Sequence, residues 1–385
     1  MKIAIVTSMA LPIPAVKGGG VEWLIQTIID ENESNGDLKI TVLGIDDEEA
    51  RNVAQKYKNT EFVFIKRDKI FYKYYGYIKK IFGKTEYFMP YIAFLKKYFK
   101  KNKYDKIIVE NNINLFKALK KASGELIFHL HNDTVNKDCV LPEEYRSIDR
   151  VFCVSDFIRS QVLSTDCFDE EQVKVLHNCN CMQGDTVAAD ADDFRAKMGI
   201  AKDDVVFLYS GRLIREKGVL ELVLAFSRID TRASVKLVIV GGINYSNDKE
   251  DSYFKKLKSV ATPNVIFTGY VDYKEMKNYY GIADIIVVPT LYFEDAAPLV
   301  VIEAMSEGIP IIASDSGGIW DFVNERCGIK IKRNENFIKE LADKMFYLAS
   351  SRETMQDMKQ SALQSSKEYT KEKYFSNFVE LINRK

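Results

Sequence analysis

Residues 289–318 read PTLYFEDAAPLVVIEAMSEGIPIIASDSGG and carry two acids eight positions apart, Asp295 in a loop and Glu303 inside an apolar helix. Pro298 suits the first turn of that helix, where no intrahelical N–H bond is made and a fixed φ is already helical. Gly308 and Pro310 end it. Asp295 can accept from sugar hydroxyls and Glu303 from ribose hydroxyls. The plainer roles are a helix cap for Asp295 and an exposed polar position for Glu303. Glu303, however, is flanked by Val300, Val301, Ile302, Ala304 and Met305, and a carboxylate in so apolar a helix needs a partner. Upstream, SGRLIREKG (210–218) sets Arg212 and Lys217 beside Gly211 and Gly218. Arg212 can fork to two phosphate oxygens and Lys217 supplies a compact second charge. Two fixed cations would stabilise a leaving nucleoside diphosphate as its charge develops. Cations for a diphosphate and acids for hydroxyls together point to nucleotide-sugar chemistry. A solvated charged turn is the alternative reading of the same cations, and Arg215 and Glu216 fit it.

Three further groups add to this set. Gly18, Gly19 and Gly20 lie between the first apolar run and the helical stretch VEWLIQTIID, where glycine lets a backbone approach a ligand and the helix-start amides can receive a phosphate. A strand-to-helix turn uses glycine in any case, and Trp23 breaks a G-x-G-x-x-G pattern. His129 and His131 follow an apolar strand and share one face by alternation. They lack a third nearby ligand in the sequence, so a polar contact is expected of them and a metal is not; a satisfied strand-end histidine is the alternative. Residues 66–106 hold 13 Lys/Arg against 3 Asp/Glu, with 13 aromatics. Tyr91, Phe94, Leu95, Tyr98 and Phe99 fall on one helical face flanked by Lys96, Lys97, Lys100 and Lys101. Such a helix fits an anionic membrane surface, or its aromatics pack on the sheet and its lysines are solvated.

The elements that must position these residues alternate along the chain. Short Val/Ile-rich runs occur at 2–7, 39–43, 62–65, 106–109, 125–129 and 150–154. They recur at 205–209, 236–240, 264–268, 284–288 and 310–313. Continuous apolar strands separated by helical periods predict parallel sheets covered on both faces. Two such series predict an α/β chain of two doubly wound, Rossmann-like domains, 1–182 and 183–365. Residues 179–193 contain little to pack in a core and read as the join. A final helix over 366–385, with Tyr369, Tyr374, Phe378 and Leu381 as its apolar contacts, is expected to pack back on the first domain. The 385 residues carry a formal net charge of zero, which gives no bias toward nucleic acid. The six cysteines form no Cys-x-x-Cys pair and only three histidines exist, so reduced thiols in a cytoplasmic protein are expected and a zinc site is not. MKIAIVTS reads as a buried strand rather than a leader, and no run of transmembrane length is present.

These motifs resemble the retaining glycosyltransferases of family 4, which have the GT-B fold: two Rossmann-like domains with a cleft between them. The family's Gly-Arg…Lys-Gly motif is matched by Gly211, Arg212, Lys217 and Gly218, and its N-terminal glycine loop by Gly18–Gly20. Its acid-x7-Glu motif is matched by Asp295 and Glu303, with Ala304, Gly308, Pro310, Ala313, Ser314, Gly317 and Gly318 following. VSDFIRS (154–160), HN (177–178), FTGYV (267–271) and ADIIVVPT (283–290) match as well. The family has Glu where this chain has Asp295, and Glu294 beside it offers a register one residue earlier. The resemblance implies a hexosyltransferase that needs no metal and retains the anomeric configuration in bacterial cell-surface polysaccharide assembly, such as a capsule. A UDP-sugar is the favoured donor and a GDP-sugar the second. Glu294 or Asp295, Ala297, Pro298, Leu299, Val300 and Glu303 would hold the donor with Arg212, Lys217 and the glycine loop. His131, or His129 in its place, would lie near the transferred sugar. The N-terminal domain would take a glycan or lipid-linked acceptor, with the basic segment resting on the inner face of the plasma membrane. Asp190-Ala191-Asp192 looks like the metal-binding Asp-x-Asp of another glycosyltransferase fold, but its place in the expected join makes it a chance match. A non-catalytic partner subunit and a nucleotide-sugar epimerase of the same fold are the rival readings.

Overall fold

The computed structural model describes residues 1–68, 73–74, 89–139, 141, 143–182, 190–229, 234–242, 252–292 and 296–384. The chain forms two compact units, Met1–His177 with Lys371–Lys385, and Asn178–Thr370. The N-terminal unit holds a seven-stranded, all-parallel sheet of β1 (Lys2–Val6), β2 (Lys39–Ile45), β3 (Thr60–Ile65), β4 (Lys106–Glu110), β5 (Glu125–Leu130), β6 (Arg150–Cys153) and β7 (Val173–Val175). Its order is β3-β2-β1-β4-β5-β6-β7, so the winding reverses between β1 and β4. The second unit holds a six-stranded parallel sheet of β8 (Val205–Ser210), β9 (Val235–Val240), β10 (Val265–Gly269), β11 (Ile285–Val288), β12 (Ile311–Ser314) and β13 (Gly328–Ile331). Its order is β10-β9-β8-β11-β12-β13, with the reversal between β8 and β11.

Alternation explains why these runs are apolar throughout. In the second unit Phe207, Leu237, Ile239, Ile285, Val287 and Ile312 pack on one face of the sheet. Val206, Leu208, Val238, Val240, Ile286 and Ile311 pack on the other. Helices bury both faces, so neither strand face can be polar. The short edge strands β7 and β13 were absent from the sequence reading; each carries a lysine (Lys174, Lys330) that interrupts the apolar run.

Two expectations are corrected here, and an alternative left open for one helix face is decided in part. Residues 179–182 do pack: Cys179 and Cys181 are fully buried, small and weakly polar as thiols are, and Asn180 N donates to Tyr369 O at 2.8 Å. The terminal helix runs Lys371–Asn383 and buries Tyr374, Phe378, Leu381 and Ile382 against the Gly20–Asn35 helix. Tyr369 precedes it in the second unit, its ring on Phe322 and its hydroxyl donating to Asp321 O. The aromatic face of the Met89–Lys101 helix serves the core, since Tyr91, Ile92, Leu95 and Phe99 are buried, while Phe94 and its lysine neighbours are exposed. The rest of the basic segment, residues 69–72 and 75–88, lies outside the described residues. Among the described residues no helix is long and apolar enough to cross a membrane.

Candidate functional site

In the second unit the two loops that leave β8 and β11 flank the reversal, the place where open α/β sheets bind ligands. They are tied together by backbone. Leu291 N and Tyr292 N both donate to Glu216 O, at 2.8 and 3.1 Å, and Thr290 Oγ1 donates to the same carbonyl. Gly218 is left-handed at φ 67, and a Cβ there would stand 2.0 Å from Pro289 O. Gly211 N donates to Val240 O and Leu213 N to Gly242 O, with Gly241 packed so close that a Cβ would meet Gly211 O at 1.9 Å. The Arg212–Lys217 turn is therefore held between the exits of β9 and β11 by contacts that only glycine permits. Arg212 is exposed and makes no ion pair among the described residues, while Lys217 is half-buried.

The helix Leu299–Ser306 starts from Pro298, which sits at the cap position rather than in the first turn. Pro298 has no amide to donate, and the cap makes no side-chain bond, so the first amides, those of Leu299 and Val300, face outward from the helix start. Asn178 Nδ2 donates to Ala297 O at 2.9 Å and anchors the chain just before this helix. Glu303 is 4% exposed, so the exposed-position reading fails. Its two oxygens accept from the Tyr273 hydroxyl at 2.6 Å and the Tyr280 hydroxyl at 2.5 Å. Burial raises its pKa and the two tyrosines oppose that rise. Tyr280 also bonds the Ser210 side chain at the end of β8, which carries this network back to the Arg212 turn. Each carboxylate oxygen keeps a further lone pair for a ligand hydroxyl. Glu294 and Asp295 lie outside the described residues.

Gly18, Gly19, Gly20 and His131 belong to the N-terminal unit. Gly19, at φ 97, caps the Gly20–Asn35 helix, and a Cβ there would meet Glu22 Oε2 at 2.1 Å. This glycine makes room for an internal carboxyl folded over the helix start. Burial pushes Glu22 to about 7, its own amide opposes this, and the charge of Glu110 adds to the rise. Glu110, at the end of β4, contacts both histidines: Oε2 lies 2.8 Å from His131 Nε2 and 3.0 Å from His129 Nδ1. Burial alone would raise Glu110, but the histidines outweigh it and bring it to about 2. Burial, then repulsion from His129, lowers His131 to about 4 despite Glu110. Glu110, His129 and His131 have ligand atoms within 4.8 Å of one another, so the third ligand that the sequence lacked comes from the neighbouring strand. Asp190 caps the Ala191–Lys197 helix, its Oδ1 accepting from Asp192 N and Asp193 N, a structural use of the Asp-x-Asp match.

Sequence reasoning missed Glu110, Glu22, Tyr273, Tyr280 and the anchoring role of Asn178. Parallel pairing sets Glu110 opposite His129, and such pairing cannot be read without the sheet order.

Residues 190–365 match the family model described as glycosyl transferases group 1. A lipopolysaccharide 1,2-N-acetylglucosaminetransferase of Salmonella typhimurium is 30% identical over 231 residues, 56% of each chain. The chain spans about half the length of the first curated relatives it matches, 56% and 44%. Sucrose-phosphate synthase of Thermosynechococcus elongatus superposes with a TM-score of 0.75 at 18% identity, covering 99% of this chain and 98% of that one. HepE of Anabaena, solved with UDP-glucose, gives 0.73 at 18% identity over 99% of both chains. The fold is thus the expected one, two Rossmann-like α/β units of GT-B type.

Proposed function

We propose, from the match of residues 190–365 to the group 1 glycosyl transferases, that the protein moves a hexose from a nucleoside-diphosphate sugar to a glycan or lipid-linked acceptor in cell-surface polysaccharide assembly. The observation that carries this reading is the glycine-pinned turn that presents Arg212 and Lys217 beside the exit of β11. Those cations and the helix-start amides of Leu299 and Val300 would stabilise the departing diphosphate. No metal is then required. Glu303, held by its two tyrosines, would take the ribose, and Asp295, or Glu294, the sugar. HepE was solved with UDP-glucose, and UDP-sugars are the first donors to try, GDP-sugars the second. Retention of configuration goes with this reading: the donor phosphate receives the acceptor proton on the face it leaves. His131 contacts the transferred sugar, and the exposed lysines of the Met89–Lys101 helix, with Phe94, rest on an anionic membrane.

The test is a thermal-shift series with UDP, GDP, ADP and dTDP in the presence of EDTA, followed by transfer from the matching sugars with the product anomer read by NMR. Ligand at a hundred times its Kd adds roughly 2.7 kcal/mol of stability. A selective shift with one diphosphate supports the site. No shift with any of them favours a non-catalytic subunit, and an inverted anomer would end the retaining assignment.

A further inference from the structure

We propose that Glu110 is a positioning residue for His131. Its carboxylate fixes the imidazole as the tautomer protonated on Nε2, so that Nδ1 is the atom offered to a substrate hydroxyl. The substrate half of this inference rests on the proposed contact between His131 and the transferred sugar; the tautomer half does not.

The geometry starts in the backbone. Glu110 is the last residue of β4 and pairs directly with His129 on β5. His131 lies two residues on and faces the same side, with the two imidazole centroids 4.1 Å apart. Asn111 takes the left-handed conformation at φ 53 and clamps both ends of this segment. Its amide donates to His129 O at 2.9 Å, and its side-chain Oδ1 accepts from His131 N at 3.1 Å. The imidazole is thus placed before its own side-chain bond is counted.

That bond decides the proton. His131 Nε2 lies 2.8 Å from Glu110 Oε2. An ionised carboxylate only accepts, so the hydrogen between them sits on Nε2. A neutral imidazole has a single N–H, which leaves Nδ1 with its lone pair. Nδ1 is buried and has no hydrogen-bond partner among the described residues. A buried acceptor left without a donor is destabilising by about 1–3 kcal/mol, and a sugar hydroxyl is a donor of the right kind. By accepting that hydrogen, Nδ1 would orient the oxygen and its remaining lone pairs.

The titratable groups that face His131 are Glu110 from β4 and His129 from β5, with Glu22 reaching Glu110 from the Gly20–Asn35 helix. His129 shares the Glu110 oxygen at 3.0 Å, so one carboxylate serves both rings. A cation held by the same three side chains would demand the opposite tautomer, with the Nε2 lone pair on the ion and the hydrogen on Nδ1. The two arrangements are therefore separable by the proton alone.

The experiment is a long-range proton–nitrogen correlation spectrum of the whole protein labelled in histidine. The chain has only three histidines, so His129→Gln and His177→Gln variants assign the signals. The expected spectrum shows His131 protonated on Nε2 with a pyridine-type Nδ1, unchanged from about pH 6 to pH 8. A Nδ1–H tautomer, an imidazolium at neutral pH, or stoichiometric zinc lost on substituting Glu110 would overturn the proposal. Glu110→Leu should mix the tautomers and lower kcat for transfer by roughly ten- to a hundredfold with little change in KM for the nucleotide sugar. Glu110→Gln, which keeps an acceptor, should restore part of the loss. Should Glu110→Leu fail to fold, the wild-type tautomer and the Glu110→Gln rates decide. Wild-type transfer in His131→Ala would refute the substrate contact alone, while absence of any transfer in the wild type would strike the parent reading and leave the spectrum as the judge of the tautomer.

Discussion

At the reversal of the N-terminal sheet, Glu110 is shared by two imidazoles and Glu22 is folded over its own helix start against Gly19. At the reversal of the second sheet, Arg212 stands exposed on a turn whose backbone is tied at Glu216, Gly218 and Gly211. The same topology thus carries two treatments of charge. In the first, ionisable side chains neutralise one another out of water and their protons are redistributed. In the second, rigid backbone supports Arg212, a cation that makes no ion pair among the described residues. An exposed, pre-positioned charge suits a diphosphate ligand, whereas a self-paired cluster suits fine placement of a neutral group.

The contrast can be broken most sharply at the cations of the Arg212–Lys217 turn. Arg212→Ala and Lys217→Ala should each lower kcat/KM for transfer about a hundred- to a thousandfold, with thermal stability of the ligand-free protein little changed. Near wild-type rates in both would mean that the second switch point does not bind the diphosphate.

Next comes the proton inventory of the first. Burial raises Glu22 to about 7 in the folded protein from its ordinary 4.5. The folded state then binds more protons than the unfolded one between those values, so this contribution is full below the unfolded pKa and is lost as pH rises through about 7. Glu22→Gln should remove it. Wild type should lose on the order of 3 kcal/mol relative to the variant between acid and neutral pH, read from urea unfolding at both ends. Parallel pH curves would show that Glu22 is not buried as described.

Gly218→Ala tests whether the backbone carries the cations. A left-handed alanine against Pro289 O should cost about 1–3 kcal/mol, and transfer should fall with it as the turn shifts. An unchanged melting temperature would contradict the close contact. The smallest effect is expected at Tyr280→Phe, which removes one of two donors to Glu303. A loss of about 1 kcal/mol is expected, and Glu303 should titrate higher still, because one of the bonds that lowers it is gone. An unaltered Glu303 titration would deny the bond.

How far the sequence carried can be judged residue by residue. The central strands were legible because both faces of a parallel sheet are buried and leave continuous Val/Ile runs. The edge strands β7 and β13 were not, since each is only three or four residues with a lysine among them. The apolar setting of Glu303 announced a partner, but not that Tyr273 and Tyr280 supply it. The aromatic stripe of the Met89–Lys101 helix was legible as an amphipathic face, yet periodicity could not say whether membrane or core would cover it; the core covers most of it.

Sequence by itself determined the strand and helix pattern, the glycines at left-handed positions and the identity of the Arg212–Lys217 turn. These follow from local chemistry: side-chain period, backbone freedom and residue type. Tertiary structure alone decided that Glu110 lies beside His131 and that Asn178 anchors Ala297. Those partners are about 20 residues apart at one pairing and more than 100 at another. Strand order brings them together, and strand order is set by how whole faces bury one another, a property that no short stretch of sequence contains.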